Sequence, residues 1–150
     1  MKYVFINVIG LAVVFAVLVV GFVVIRAVAG QGDAATMTPD GRFPEFVYTS
    51  PESLEAYRLA AGNRGLFSQI PCYCGCADLR PKAHENLDDC FFGSGGAVDS
   101  HAAGCNLCQD IARDAAAWRT EGDSAFLIRN KVDSKYETFG SATDTAPVSP

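Results

Sequence analysis

The residues of this 150-residue chain that could do chemistry are its six cysteines and two histidines. All of them fall between positions 72 and 108, and they are Cys72, Cys74, Cys76, His84, Cys90, His101, Cys105 and Cys108. Thiolates combined with imidazoles select soft or borderline ions such as Cu(I), Zn(II) or the iron of iron–sulfur clusters. These eight residues are therefore the candidate metal ligands.

Two stretches of the sequence set the spacing of the thiols. In PCYCGC, residues 71–76, the cysteines alternate, so an extended backbone would turn all three thiols to one side. Gly75 would alternatively let the chain curl around an ion. In the second stretch, His101, Cys105 and Cys108 share a helix face if one helix contains them all. A helix that begins only at Cys105 would instead place the thiol pair at its positive end, which lowers a thiol pKa.

Three functions compete for these residues. Six cysteines with two histidines exceed the needs of one tetrahedral ion, and closely spaced Cys-x-Cys steps suit bridging thiolates in a multinuclear Cu(I) or Zn site. An even number of cysteines in an exported domain equally suits a disulfide framework, and the spacing selects no pairing. A thiol–disulfide oxidoreductase using Cys105 and Cys108 would need a thioredoxin-like sheet, whose βαβ pattern is missing from the sequence. Residue types alone leave all three open, with redox catalysis the least favoured.

Three helices are predicted to position the cysteines. The first has Ser50 as its N-cap and Pro51 as its first residue, and Gly62 with the following asparagine closes it. The second runs from about residue 106 to residue 120, and the third from about residue 124 to residue 136, on apolar positions at helical spacing. Little of the sequence alternates as a strand would. The predicted fold is mainly α, with a small helical domain built around a Cys/His-rich loop.

The N-terminal segment, residues 1–29, has the composition of a membrane anchor. No charge occurs from Tyr3 to Ile25, and at about 1.5 Å per residue this run spans the roughly 30 Å hydrocarbon core. The run is longer than the apolar part of a cleaved signal peptide, which favours a transmembrane helix or an uncleaved signal. Lys2 then predicts a single-pass protein with a cytoplasmic N-terminus and an extracytoplasmic C-terminal domain.

The rest of the chain divides by composition into a flexible linker at 30–42, a domain at 43–139 and a disordered tail at 140–150. Lys2 and Arg26 are the only basic residues among the first 30. The remainder therefore carries ten Lys/Arg against all seventeen Asp/Glu, a net charge of −7. This balance argues against nucleic-acid binding, which needs a basic patch.

The acidic residues carry no predicted site of their own. Those nearest the cysteines are expected to form a solvated face: Asp88, Asp89, Asp99, Asp110 and Asp114. Asp99 could also orient the ring of His101 through a hydrogen bond. The sequence contains no Ser-His-Asp arrangement, phosphate-binding glycine loop or pair of catalytic carboxylates, so it does not indicate an enzyme.

The sequence around the cysteines resembles a known family. Pro71-Cys-Tyr-Cys-Gly-Cys76 is similar to the signature of the bacterial PCYCGC-motif proteins, membrane-attached or lipoprotein extracytoplasmic domains without an established biochemical function. The resemblance covers about residues 43–139 and includes Tyr57–Ala61, His84, Cys90-Phe91, Asp99–Cys108, Ile128-Arg129 and Lys135-Tyr136. Family members often carry a lipid-modified cysteine where this chain has its apolar segment. Residues 77–84 also differ from the short glycine-containing link of the family.

The resemblance shifts the balance between the three functions towards metal binding. The residues that match the family include the thiols and His101, whereas a disulfide framework does not require an imidazole. Copper as Cu(I) is the first expectation, zinc the second, and an iron–sulfur cluster the least favoured. The expected role is storage, delivery or sequestration of the metal at the membrane surface, with a metal-donor or metal-acceptor protein as partner.

Overall fold

The computed structural model describes residues 42–75, residue 78 and residues 84–150. The predicted membrane anchor at 1–29 and nearly all of the predicted linker lie outside these residues, and so does Cys76. No helix within the described part of the chain is long and apolar enough to cross a membrane. The transmembrane helix at 1–29 stays a prediction.

Helices make up the regular structure of the described residues, and no strand element occurs among them. The α-helices are α1 (Pro51–Gly62), α2 (Arg64–Phe67), α3 (Leu87–Phe92), α4 (Asn106–Thr120) and α5 (Ala125–Tyr136). Two 3₁₀ helices span Glu45–Thr49 and His101–Gly104. The prediction of a mainly α fold is confirmed for this part of the chain.

Local sequence signals account for the helices that were predicted. The Ser50 hydroxyl accepts a hydrogen bond from the backbone N–H of Ser53 at 3.0 Å, and Pro51 is the first residue of α1. The Ser124 hydroxyl caps α5 in the same way. Helix α4 has the predicted bounds. Gly122 follows it with φ +97°, a conformation that glycine adopts without strain.

Helix α3 was not predicted, because six residues are too few to show a helical period. The Asn86 side chain caps it by accepting a hydrogen bond from the N–H of Asp89 at 3.0 Å. All six residues of the helix are buried, including Cys90. The expected loop between the first two predicted helices therefore contains a short core helix that carries one of the thiols.

One buried cluster joins all five α-helices. Its fully buried members include one side chain from each of them: Tyr57, Phe67, Phe91, Ile111 and Ile128. The rings of Tyr57 and Phe91 meet edge to face, with a centroid distance of 5.0 Å and an interplanar angle of 81°. This is a favourable geometry for an aromatic pair. Three cysteines, Cys72, Cys90 and Cys108, belong to the same cluster and are fully buried. The thiols are therefore built into the hydrophobic core.

Part of the tail predicted to be disordered is instead hydrogen-bonded to the domain. Thr143 is buried; its N–H donates to the carbonyl of Cys72, and its hydroxyl accepts from the N–H of Cys72, both at 2.9 Å. The Arg129 guanidinium donates to the carbonyl of Ala146 at 2.6 Å. These hydrogen bonds fix a segment whose composition has no helical or strand period. We call residues 141–146 the C-terminal strap.

Gly140 directly precedes the C-terminal strap and lies close to the backbone of Tyr73. A Cβ atom at this position would lie 2.8 Å from the carbonyl oxygen of Tyr73, closer than real Cβ atoms approach a backbone oxygen. The absence of a side chain therefore allows the chain to pass directly over Tyr73, which separates Cys72 from Cys74.

Candidate metal centre

Five thiols and an imidazole converge where the segment after Pro71 meets α3 and the start of α4. Two groups of four residues have all their ligand atoms within 4.8 Å of one another. We call them the inner group (Cys72, Cys74, Cys90 and Cys108) and the outer group (Cys74, His101, Cys105 and Cys108). Because the groups share Cys74 and Cys108, they form one continuous thiol–imidazole cluster of six residues.

The distances within the cluster are those of neighbouring ligands. The sulfur of Cys108 lies 3.4 Å from that of Cys72 and 2.9 Å from that of Cys105. The sulfur of Cys74 lies 3.6 Å from Nε2 of His101. A disulfide needs sulfurs about 2.05 Å apart, and no two of the described cysteines are so joined. Thiolates about 2.3 Å from a tetrahedral zinc ion are roughly 3.8 Å from each other, so small shifts would accommodate an ion.

The PCYCGC segment contributes Cys72 and Cys74. The two thiols reach the same cluster, as the period of two predicts. Gly75 follows with φ +84°, so the chain also curls directly after them, as the alternative expectation proposed for this glycine. The third thiol of the motif, Cys76, lies outside the described residues, and its predicted role stays a prediction.

In the second stretch of the sequence, from His101 to Cys108, the α-helix begins only after Cys105. Cys105 is the N-cap of α4, and its sulfur accepts a hydrogen bond from the N–H of Cys108 at 3.4 Å. His101 lies in the separate His101–Gly104 3₁₀ helix. Of the two alternatives, the continuous helix face does not form, and the helix that begins at the Cys105 cap is the one present. Cys105 and Cys108 therefore lie together at the N-terminus of α4.

Hydrogen bonds between the donor atoms shift their acidities strongly. The thiols of Cys105 and Cys108 hold the pKa of Cys74 far below its usual value. Hydrogen bonds with Cys105 and Cys74 raise the pKa of His101 to about 10. Contacts with Cys105 and Cys72 raise the pKa of Cys108. A metal ion bound by these donors would take the place of the protons that they share.

His84 lies beside the cluster in the core. Its ring is 6% exposed, its centroid is 4.7 Å from that of His101, and a ligand atom of each lies within 4.8 Å of the Cys90 sulfur. Burial, followed by the charge of His101, lowers the pKa of His84. Within the described part of the chain, Nδ1 of this ring is buried without a hydrogen-bond partner. A buried nitrogen of this kind costs about 1–3 kcal/mol unless a ligand satisfies it.

Asp99 contacts both histidines. One carboxylate oxygen accepts a hydrogen bond from the backbone N–H of His101 at 2.7 Å, and the other lies 3.8 Å from Nε2 of His84. Asp99 therefore contacts the ring of His84 and the backbone of His101. That it orients the His101 ring stays a prediction. A carboxylate beside one ring nitrogen favours a tautomer that leaves the other nitrogen available for a metal.

Tyr57 attaches α1 to the segment that carries His101. Its hydroxyl donates to the carbonyl of Asp99 and accepts from the N–H of Ala103 at 3.1 Å. The side chain of Gln109 on α4 adds a hydrogen bond to the carbonyl of Ala102 at 2.8 Å. The 3₁₀ helix is therefore held from both sides.

The acidic residues of α3 do not form the expected solvated face, because Asp88 and Asp89 are buried. Two guanidinium nitrogens of Arg64 donate hydrogen bonds to the Asp88 carboxylate, at 2.7 Å and 3.1 Å. Asp89 accepts from the backbone N–H of Glu85 at 2.9 Å. These bonds anchor α3, and with it Cys90, to the rest of the domain.

Seven of the eight predicted ligands are described, and all seven lie at one place: Cys72, Cys74, His84, Cys90, His101, Cys105 and Cys108. Sequence reasoning missed the positioning residues Tyr57, Asn86 and Thr143. Asn86 precedes two acidic residues, which is an N-terminal helix signature that could have identified α3. No sequence pattern connects Thr143 with Cys72.

The fold and the cluster together define a small helical domain with a cysteine- and histidine-rich centre. Residues 27–148 match the family described as "Protein of unknown function with PCYCGC motif", and the chain belongs to this family. The predicted membership is confirmed, and the match extends on both sides beyond residues 43–139. No curated protein and no solved structure matches the chain.

Proposed function

We propose that this domain binds a soft metal ion through the thiol–imidazole cluster, with Cu(I) as the first choice and zinc as the second. The observation that carries the proposal is the convergence of five thiols and His101, with mutual distances that suit coordination. Such a donor set combines soft sulfur, which Cu(I) prefers, with an imidazole that also suits zinc. An iron–sulfur cluster remains the least favoured occupant.

The surroundings of the donors support a metal centre. Cys72, Cys90 and Cys108 are fully buried beside aromatic core residues, and an apolar shell limits the access of water and oxidants to a bound ion. His84 lies at the edge of the cluster, beside Cys90 and His101, and its buried Nδ1 has no hydrogen-bond partner among the described residues. Buried polar atoms without protein partners are common where an ion or ligand completes the site.

A disulfide framework fits this arrangement less well. Disulfides join cysteines in separate pairs, whereas the sulfur of Cys108 has both Cys72 and Cys105 within 3.4 Å. The redox alternative has one observation in its favour: Cys105 and Cys108 lie 2.9 Å apart at the N-terminus of α4. The strands of a thioredoxin-like sheet are absent from the described residues, so it stays the weaker candidate.

The cellular setting belongs to the same proposal. The apolar segment at 1–29 would anchor the chain in a membrane, with the N-terminus cytoplasmic and the acidic domain outside the cytoplasm. The domain would then store, deliver or sequester the metal at the membrane surface and exchange it with a donor or acceptor protein. The net charge of −7 after residue 30 would keep the domain soluble.

The test is to purify the full chain anaerobically, count its titratable thiols and measure bound metal by elemental analysis. We expect bound copper or zinc, with the cluster thiols protected from alkylation until the metal is removed. Cys105→Ser should lower the metal content, whereas Leu127→Ala, at an exposed position on α5, should leave it unchanged. A chain that is isolated with three disulfides, and that binds no metal after anaerobic reduction and reconstitution, would overturn the proposal.

A further inference from the structure

The two groups of donors have a composition that a single ion does not explain. The cluster offers six donors, whereas a tetrahedral ion takes four. Two tetrahedra that share an edge have six corners, of which two belong to both. The inner and outer groups have this arrangement, because each contains four residues and they share Cys74 and Cys108.

We infer that the cluster binds two soft metal ions bridged by the thiolates of Cys74 and Cys108. Cys72 and Cys90 complete the coordination of the inner ion, and His101 and Cys105 complete that of the outer ion. The inference rests on the proposed function, and it adds the number of ions, the bridging residues and a difference between the two positions.

The distances are compatible with bridging. The sulfur of Cys108 lies 3.4 Å from Cys72 of the inner group and 2.9 Å from Cys105 of the outer group. The sulfur of Cys74 lies 3.6 Å from Nε2 of His101 and within 4.8 Å of the inner sulfurs. Each shared sulfur therefore has neighbours that belong to each of the two ions.

The charge of the cluster thiolates favours the binding of two ions over the binding of one. Five thiolates around a single divalent ion leave three negative charges uncompensated, and two divalent ions leave one. With Cu(I) the second ion also removes one negative charge. Because uncompensated charge in a protein interior is costly, a second ion stabilises the fully deprotonated cluster.

Burial distinguishes the two positions. The terminal ligands of the inner ion, Cys72 and Cys90, are fully buried, whereas those of the outer ion, His101 and Cys105, are only half-buried. A partner or a chelator would therefore reach the outer ion first. The outer ion is the exchangeable one, and the inner ion is retained.

The experiment titrates the full-length, metal-free chain with Co(II) under anaerobic conditions. Native mass spectrometry counts the bound ions, and electron paramagnetic resonance reports their coupling. We expect two cobalt ions per chain. The resonance signal of the first ion should fall when the second binds, because bridging thiolates couple the two spins.

The outcomes separate this inference from the proposed function. Binding that stops at one ion per chain would overturn the two-ion inference and leave metal binding intact. Two ions without loss of the resonance signal would overturn the bridging assignment. A chain that binds none of Co(II), Zn(II) and Cu(I) would overturn both.

A variant tests the assignment of the outer ion. Cys105→Ser should bind one Co(II) with an undiminished resonance signal, and Leu127→Ala should bind two, as the unchanged chain does. If circular dichroism shows that Cys105→Ser has lost its helices, His101→Ala replaces it, because it removes another terminal ligand of the same ion. Two coupled ions in the folded variant would contradict the assignment.

Discussion

Single residues around the cluster are arranged to present donor atoms, and His84 is the clearest case. Its Nε2 faces Asp99, while its buried Nδ1 lacks a hydrogen-bond partner in the described part of the chain. A ring that served only to fill the core would leave this nitrogen as a cost to stability. A ring that takes part in metal binding, in addition to the six residues assigned to the two ions, would recover that cost when the ion is present.

This difference gives a prediction with two readouts. In the metal-free protein, His84→Leu should leave the free energy of unfolding unchanged or raise it by about 1 kcal/mol, because it removes an unsatisfied buried nitrogen. In the same variant, the affinity for Zn(II) should fall by about 10-fold or more. Urea denaturation and competition with a chelator measure the two quantities. Lower stability with unchanged affinity would assign His84 a structural role only.

At the scale of elements, short helices set the position of the thiols. Cys90 lies in α3, which the Asn86 cap begins, and Cys105 itself caps α4. Helices α1, α4 and α5 were predictable because caps, a proline and apolar positions at helical spacing mark them. Helix α3 was missed because its apolar residues face a core made by distant parts of the chain, and six residues do not reveal that in a sequence.

The cap of α3 should matter for metal binding and not only for stability. Asn86→Ala should lower the free energy of unfolding by about 1 kcal/mol and weaken Zn(II) binding, because Cys90 lies in the helix that begins there. Ser124→Ala is the matched control, since Ser124 caps α5, which carries none of the predicted ligands. Ser124→Ala should lower the free energy of unfolding by a similar amount and leave the affinity for Zn(II) unchanged. Equal affinities in the two variants would contradict a positioning role for the α3 cap.

At the scale of the described domain, the end of the chain packs against the segment that carries the first thiols of the cluster. The C-terminal strap pairs with Cys72, more than sixty positions earlier in the chain. The types of the candidate ligands were readable from the sequence, because thiols and imidazoles are rare and clustered. The division of these ligands into two groups that share two sulfurs could not be read from the sequence, because it depends on how α3, α4 and the PCYCGC segment meet.

Displacing the strap tests its contribution to the site. In Gly140→Ala the new methyl group would meet the carbonyl of Tyr73, so the strap should shift from Cys72. We expect Zn(II) to transfer to a chelator several-fold faster, with protection of the Cys72 amide against hydrogen exchange reduced. Gly62→Ala is the control, because a Cβ there meets nothing within 4 Å. An unchanged transfer rate in Gly140→Ala would show that the strap does not retain the metal.

The central claim is that sulfur from this cluster binds the metal, and X-ray absorption spectroscopy at the metal edge tests it most directly. For the full chain loaded anaerobically with one metal, either Cu(I) or Zn(II), the account predicts a first shell dominated by sulfur at about 2.3 Å with a minority of nitrogen. A first shell containing only oxygen and nitrogen would contradict it.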